Sequence, residues 1–220
     1  MVDQLIILFK PKTQYMKTFI STIAFIFCTF VGFSQNESAN LDSKFRFGFN
    51  VGANYSFLQS LESLPQNTEI YNGVGAKLGV FMDYSISKKF LFSPKAELAF
   101  NKSGVDRRNT DNSITTYKVF PISLDIMTHF VYKIGESKTV PYLLLGPNLR
   151  LPIGNRPVTS SEFSNRSDLA IDFGIGLENR FKDFVFAPEI RYSLGLLNVN
   201  ENPTFQTLKY QNISLVLNFK

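Results

Sequence analysis

Twelve charged side chains recur at alternate positions of apolar-polar segments: Arg46, Lys77, Asp83, Lys95, Glu97, Asp125, Arg150, Asp172, Glu178, Arg180, Glu189 and Arg191. Six are cations and six are carboxylates. Such groups can act as general acid and base, select ions along a path, or neutralise one another. A selective path favours one sign, so the equal numbers point to mutual neutralisation. His129 is the only histidine and Cys28 the only cysteine, which leaves no ligand set for a His- or Cys-based metal centre. His129 shares its parity with Asp125, and a nearby serine would complete the arrangement of an acyl hydrolase. A hydrogen-bonded interior histidine is the simpler reading. Gly-rich phosphate loops and nucleophile elbows are absent. No catalytic residue, cofactor or resident metal is expected.

The elements that must position these charges are strands. In 168–196, Leu169, Ile171, Phe173, Ile175 and Leu177 share one parity, and Asp168, Asp172, Gly174, Gly176, Glu178 and Arg180 the other. After Phe181-Lys182-Asp183 the pattern repeats, with Phe184, Phe186, Ile190, Tyr192 and Leu194 against Glu189, Arg191, Ser193 and Gly195. Period-2 alternation over a dozen residues, twice, predicts a β-hairpin with one apolar and one polar face. The same pattern predicts strands over 44–58, 72–85, 90–102, 114–132, 140–153 and 207–220. Their connections alternate between short turns and long polar loops at 59–71, 103–112, 154–167 and 198–205. Eight strands with short turns at one end and long loops at the other are the plan of an antiparallel up-and-down transmembrane β-barrel. Both termini then lie on the periplasmic side.

Volume decides which face points outward. The apolar parities carry roughly forty mostly large side chains, too many for an eight-stranded lumen. The polar parity carries Gly48, Gly52, Gly73, Gly75, Gly79, Gly146, Gly174, Gly176 and Gly195, as a crowded interior demands. Phe45, Phe47, Tyr84, Phe90, Phe92, Phe130, Tyr132, Phe184, Phe186 and Phe219 gather on the apolar face near the short-turn end, like an interfacial girdle. The twelve charges are thus expected to form a salt-bridge network plugging the lumen. Pro94, Pro121, Pro147 and Pro188 fall inside strands and are expected to mark bulges. Lys102, Lys118 and Lys209 sit on the apolar parity near the long-loop ends, with Arg107 and Arg108 in the 103–112 loop. They are expected to meet lipopolysaccharide phosphates of the outer leaflet.

The N-terminus reads as a secretory signal peptide over 1–34: Met16-Lys17, an apolar run from Thr18 to Phe33 that includes Cys28, and cleavage between Ser34 and Gln35. Residues 1–15 read as an over-extended start, and 35–43 as a flexible lead-in to a barrel domain over 44–220. With Lys10, Lys12, Lys17 and Asp3 removed, 20 basic residues face 17 acidic ones, which gives no reason to expect nucleic acid.

Several pieces in order carry a resemblance: Phe120-Pro121-Ile122, Pro141-Tyr142-Leu143 with Gly146, the run Asp172 to Glu178, Pro188-Glu189-Ile190-Arg191-Tyr192 with Gly195-Leu196, and a last strand ending at Phe219. Over residues 44–220 the chain resembles the PorT-like outer-membrane β-barrel family of Bacteroidetes. The resemblance implies an integral outer-membrane barrel, and its namesake takes part in type IX secretion and gliding. It therefore implies a structural, surface-interaction or secretion-accessory role with protein partners. A membrane-embedded lipid-modifying enzyme and a small passive channel remain as alternatives.

Overall fold

The computed structural model describes residues 44–61, 63–153, 167–200 and 207–220. The expected leader with its Ser34–Gln35 junction, the lead-in, and most of the 154–167 and 198–205 loops lie outside them. The described residues form eleven strands: β1 (Phe45–Ser60), β2 (Thr68–Tyr71), β3 (Gly73–Ser85), β4 (Phe90–Phe100), β5 (Ser103–Arg108), β6 (Ile114–Val119), β7 (Ile122–Lys133), β8 (Thr139–Pro152), β9 (Asp168–Arg180), β10 (Val185–Gly195) and β11 (Leu208–Phe219). Eight of them, β1, β3, β4 and β7 to β11, close into an antiparallel up-and-down barrel, with β11 paired back onto β1.

The register fixes the barrel's pitch. Paired residues lead from Tyr55 through Ile213, Tyr192, Phe173, Leu145, Phe130, Phe92 and Tyr84 to Phe45. One circuit therefore ends ten residues from its start on β1. A shear of ten over eight strands tilts them by about 40° from the axis. Such a barrel is narrow, and its interior must be filled by side chains.

The prolines behave otherwise than expected. Pro94, Pro147 and Pro188 lie in β4, β8 and β10, yet the register on either side of each is unchanged, so none marks a bulge. Each instead coincides with a gap in one ladder: the pairings of Pro94 with Met82, Pro147 with Thr128 and Pro188 with Leu177 are missing. Proline removes one donor without adding a residue, and a closed ladder tolerates the gap.

A larger departure concerns 59–71 and 103–132. The expected fourth strand over 114–132 is two strands, and the flanking loops contain β2 and β5. Strands β2, β5 and β6 form a separate sheet in the order β2-β5-β6. The break falls at Phe120, whose φ of 48° is unusual for a bulky residue. Its carbonyl accepts from Asn101 Nδ2 (2.8 Å), and Asn101 N–H donates to the Pro121 carbonyl (3.0 Å), so one asparagine clamps both sides of the break. Alternation stops there: Val119 and Phe120 are consecutive and both buried. Phe120, expected on the outer face with Ile122 and Leu124, points inward. The true turn of the 103–112 segment is shorter than expected. Asn112 takes the left-handed conformation (φ 65°), and Asp111 Oδ1 accepts from the Ser113 amide and hydroxyl.

The wall has two unlike faces. Val74, Phe47 and Ile175 are more than half exposed, whereas the alternate positions are buried or half-buried. An apolar band this continuous is far larger than a soluble monomer exposes, and lipid is the solvent that suits it. At the short-turn end the rings pair across strands: Phe45 with Tyr84 (4.9 Å), Phe90 with Tyr132 (5.0 Å), and Phe219 with Phe49 (5.1 Å) and Phe186 (5.2 Å).

Candidate functional site

The lumen is built in tiers. At its centre Arg191 donates from both terminal nitrogens to Glu97 (Nη1–Oε2 3.1 Å, Nη2–Oε1 2.9 Å) and from Nε to Glu189 (3.0 Å). Gly174 faces Arg191 across the β9–β10 pair, where a Cβ would sit 2.5 Å from the Ile190 carbonyl oxygen, so the backbones approach too closely there for a side chain. Glu189 also accepts from Lys95 (3.4 Å) and the Tyr142 hydroxyl (3.0 Å), and Glu97 from Asn50 (3.0 Å). Toward the long-loop end, Asp125 takes Lys77 (3.3 Å) and Ser123 (2.8 Å), while Arg150 reaches Asp168 (2.6 Å) and lies 4.4 Å from the Tyr210 ring. Toward the short turns, Glu178 accepts from Lys133 (2.7 Å) and Arg180 (3.1 Å), and Lys220 bridges Glu178 and Asp83.

Eleven of the twelve charges read from the sequence therefore meet partners in or at the rim of the lumen. Arg180 stands at the rim, its side chain 35% exposed. The twelfth, Arg46, lies opposite Asp83 in the register but makes no ion pair among the described residues; Asp83 is taken by Lys220 and Ser93, and Arg46 Nε and Nη1 have no hydrogen-bond partner among them. Sequence reasoning missed Lys133, Asp168 and Lys220 as members. All three lie on the lumen parity at strand ends: Asp168 and Lys220 are the terminal residues of the expected strands 168–196 and 207–220, and Lys133 stands one residue past 114–132. With them, seven cations and seven carboxylates are paired among the described residues.

His129 meets Asp172, not Asp125: Nε2 lies 3.0 Å from Asp172 Oδ2. Ser193 Oγ donates to the other oxygen of the same carboxylate. Asp172 thus stands between histidine and serine, so the imidazole cannot take the serine proton, and all three groups are buried. The cluster ties β7, β9 and β10 together, with Asn148 adding two bonds to Asp172 (3.1 and 3.2 Å).

Glycines let aromatic rings lie flat inside. Phe81 crosses its cross-strand partner Gly48, and Tyr142 crosses Gly176; a Cβ at either glycine would sit 2.4 or 2.2 Å from the ring. The lumen cavity bounded by Phe81, Asp83, Ser93, Lys95, Tyr142 and Glu178 has a volume of about 20 Å³, room for one water.

At the long-loop end the interior changes character. Leu58, Val105, Val119, Phe120, Val199, Leu208 and Tyr210 form a buried apolar cluster, with Leu64 and Ile70 packed against it. The inner face of the β2-β5-β6 sheet supplies Ile70, Val105 and Val119, so this sheet is a lid over the mouth. Phe120 meets Tyr210 edge-on at 5.2 Å, and its ring lies 5.9 Å from the Arg150 guanidinium. The apolar lid therefore rests directly on the top of the ion-pair network.

The three lysines expected at the outer leaflet do not form one group. Lys102 follows β4, and Lys118 lies on β6 in the lid sheet, not on the barrel wall; both line one cleft. Lys209 lies on β11 opposite Gln59, away from that cleft. Near it on the outer face, Tyr192 hydroxyl, Gln211 and Gln59 form a hydrogen-bonded chain, a polar edge to the apolar band.

Neisserial surface protein A shares 14% identity and a TM-score of 0.47, covering 81% of this chain and 99% of its own. OprG of Pseudomonas aeruginosa gives 14% and 0.47, covering 80% and 92%. Ail of Yersinia pestis, solved with the heparin analogue sucrose octasulfate, gives 14% and 0.39, covering 80% and 99%. No curated protein matches the chain significantly. The outer membrane protein beta-barrel domain matches residues 33–201, and the chain, an integral protein of the bacterial outer membrane, belongs to that family.

Proposed function

We propose that this protein is a closed, non-enzymatic barrel of PorT-like type that works through its extramembrane surfaces, as a surface-interaction or secretion-accessory component. The observation that carries this reading is the double closure of the lumen: paired charges fill it, and an apolar lid covers its mouth. A path for solutes would need both to be absent, and the lumen cavity beside Phe81, Asp83 and Tyr142 has room for only one water. The lid sheet supplies a structured surface at one end, which is what a binding role requires. The buried Asp172 between His129 and Ser193 speaks against an acyl-transfer role.

The short turns at 86–89, 134–138 and 181–184, set against the longer connections at the lid end, support an orientation with both termini in the periplasm and the lid outside. Residues 1–34 act in this reading as the export signal, and a mature protein beginning at Gln35 in N-terminal sequencing checks it. Outer-leaflet lipid and proteins of a secretion or surface complex are the proposed partners; the ordered motifs from Phe120 to Phe219 favour a Bacteroidetes system such as type IX secretion. Two experiments test the function. Purified protein in planar bilayers gives no stable ohmic openings; such openings would overturn the closed reading. Deletion of the gene changes the set of secreted or surface proteins; an unchanged secretome would remove the secretion role and leave surface interaction.

A further inference from the structure

Between the outer face of the lid sheet and the barrel rim lies a cleft of about 480 Å³ lined by Tyr71, Asn101, Lys102, Asp106, Thr116 and Lys118, among others. We propose that it binds the phosphate of an outer-leaflet lipid headgroup, with Lys102 and Lys118 as the cations and the Tyr71 hydroxyl as a further donor. The proposal rests on the reading above that the lid end faces outward.

Four observations carry it. First, the lumen cations are nearly all ion-paired, but Lys102 and Lys118 have no ion-pair partner among the described residues. The cleft's one carboxylate, Asp106, is occupied in part by the Thr116 hydroxyl (2.7 Å). Second, the floor is built for close approach. Gly104 pairs with both Tyr71 and Lys118, and the Tyr71 hydroxyl lies where a Gly104 side chain would start, 2.5 Å from an ideal Cβ. The Tyr71 ring thus crosses β5 toward Lys118. Burial first, and Asp106 second, push the Tyr71 phenol above its ordinary range, so it stays a donor. Third, the remaining polar group, Asn101, already spends its amide on the Phe120 carbonyl (2.8 Å), leaving donors from lysine and tyrosine to face an acceptor-only ligand. Fourth, the cleft stands where lipid chains give way to headgroups. Phe100 and Ile122 are cross-strand partners on the outer face, 41% and 36% exposed, and Lys102 and Pro121 follow and precede them. Lysine stems at such a boundary lie along apolar wall and raise their charges into the headgroup layer.

The test uses the full protein in phosphatidylcholine nanodiscs with added lipid A, and native mass spectrometry to count lipid A retained. Replacing both lysines (Lys102→Gln with Lys118→Gln) is expected to lower retention about tenfold, and lipid A stripped of its phosphates is expected to lose a similar factor. Lys88→Gln with Lys89→Gln, in the turn at the opposite end, should leave retention unchanged. Gly104→Ala, which displaces Tyr71, should weaken it less than the lysine pair. Equal retention in the double variant, or equal loss in the opposite-end control, would overturn the site. Lysine-dependent binding of inorganic phosphate without lipid A retention would overturn the lipid as its source. Heat-modifiable gel mobility shows that each variant is folded, and labelling of a cysteine placed in the β5–β6 turn on intact cells tests the outward lid separately, so failure of one reading does not carry the other.

Discussion

The lumen and its lid close the same space by opposite means. The lumen closes with charges set against one another: Arg191 bonds both Glu97 and Glu189 and lies 3.8 Å from Asp172. The lid closes with apolar side chains such as Val105, Phe120 and Leu208, which need only volume. Ion pairs in a dry interior depend on geometry, because an unpaired charge there costs several kcal/mol. Apolar packing is forgiving toward substitutions of like volume. The two regions should therefore respond differently to equally conservative changes.

The strongest test is Arg191→Ala, which takes the guanidinium from Glu97 and Glu189 and from beside Asp172, and should cost about 3–5 kcal/mol in reversible unfolding from lipid vesicles. Arg191→Lys keeps the charge but loses the two-pronged bond to Glu97, so it should recover only part of that loss. Recovery of nearly all of it would mean that net charge, not geometry, holds the lumen. Ile175→Arg places a charge on the lipid face and should cost about 2–4 kcal/mol if Ile175 sits at mid-height. It calibrates the scale from outside the comparison; a cost near zero would reassign the faces. In the lid, Phe120→Leu should cost about 1 kcal/mol, mainly the edge-on contact with Tyr210. Its effect is expected as faster proteolysis of the lid rather than as a shift in barrel unfolding. The smallest effect concerns the β5–β6 turn. Hydrogen bonds from Ser113 lower the Asp111 carboxyl below its ordinary range. A depressed carboxyl stabilises the turn above its unfolded value and stops doing so as pH falls through the folded one. Protection of the Ser113 amide, taken as exchange relative to the intrinsic rate at each pH, should be lost only at acidic pH; its loss at neutral pH would contradict the turn geometry.

The barrel was legible because its strands are long and strictly alternating; thirteen residues from Asp168 to Arg180 leave little room for another reading. The lid was not. Strand β5 carries one large apolar residue, Val105, in a run of turn-formers and charges, too short for a period to appear. Phe120 escapes the alternation because its own positive φ breaks the strand and its side chain is buried, while Lys118 and Ile122 on either side stay exposed. The membership of the lumen charges was readable from parity. Their partners were not, because pairing depends on the way round the barrel: Arg191 and Glu97 are 94 residues apart. For the same reason the cleft was half legible. Lys102 and Lys118 stood near loop ends in the sequence, but only the lid brings them to one place and separates Lys209 from them.

The seam between β1 and β11 has a consequence for assembly. Most barrel neighbours are joined by the hairpin that makes them, but Tyr55 must meet Ile213 across most of the chain. Until those ladders lock, two edges stand open to lipid, where unpaired amides have no water to turn to. Distant pairing is also the slowest kind to form, since it draws together the longest loop. Disturbances along β1 or β11 should therefore delay maturation more than equal disturbances in the β9–β10 hairpin.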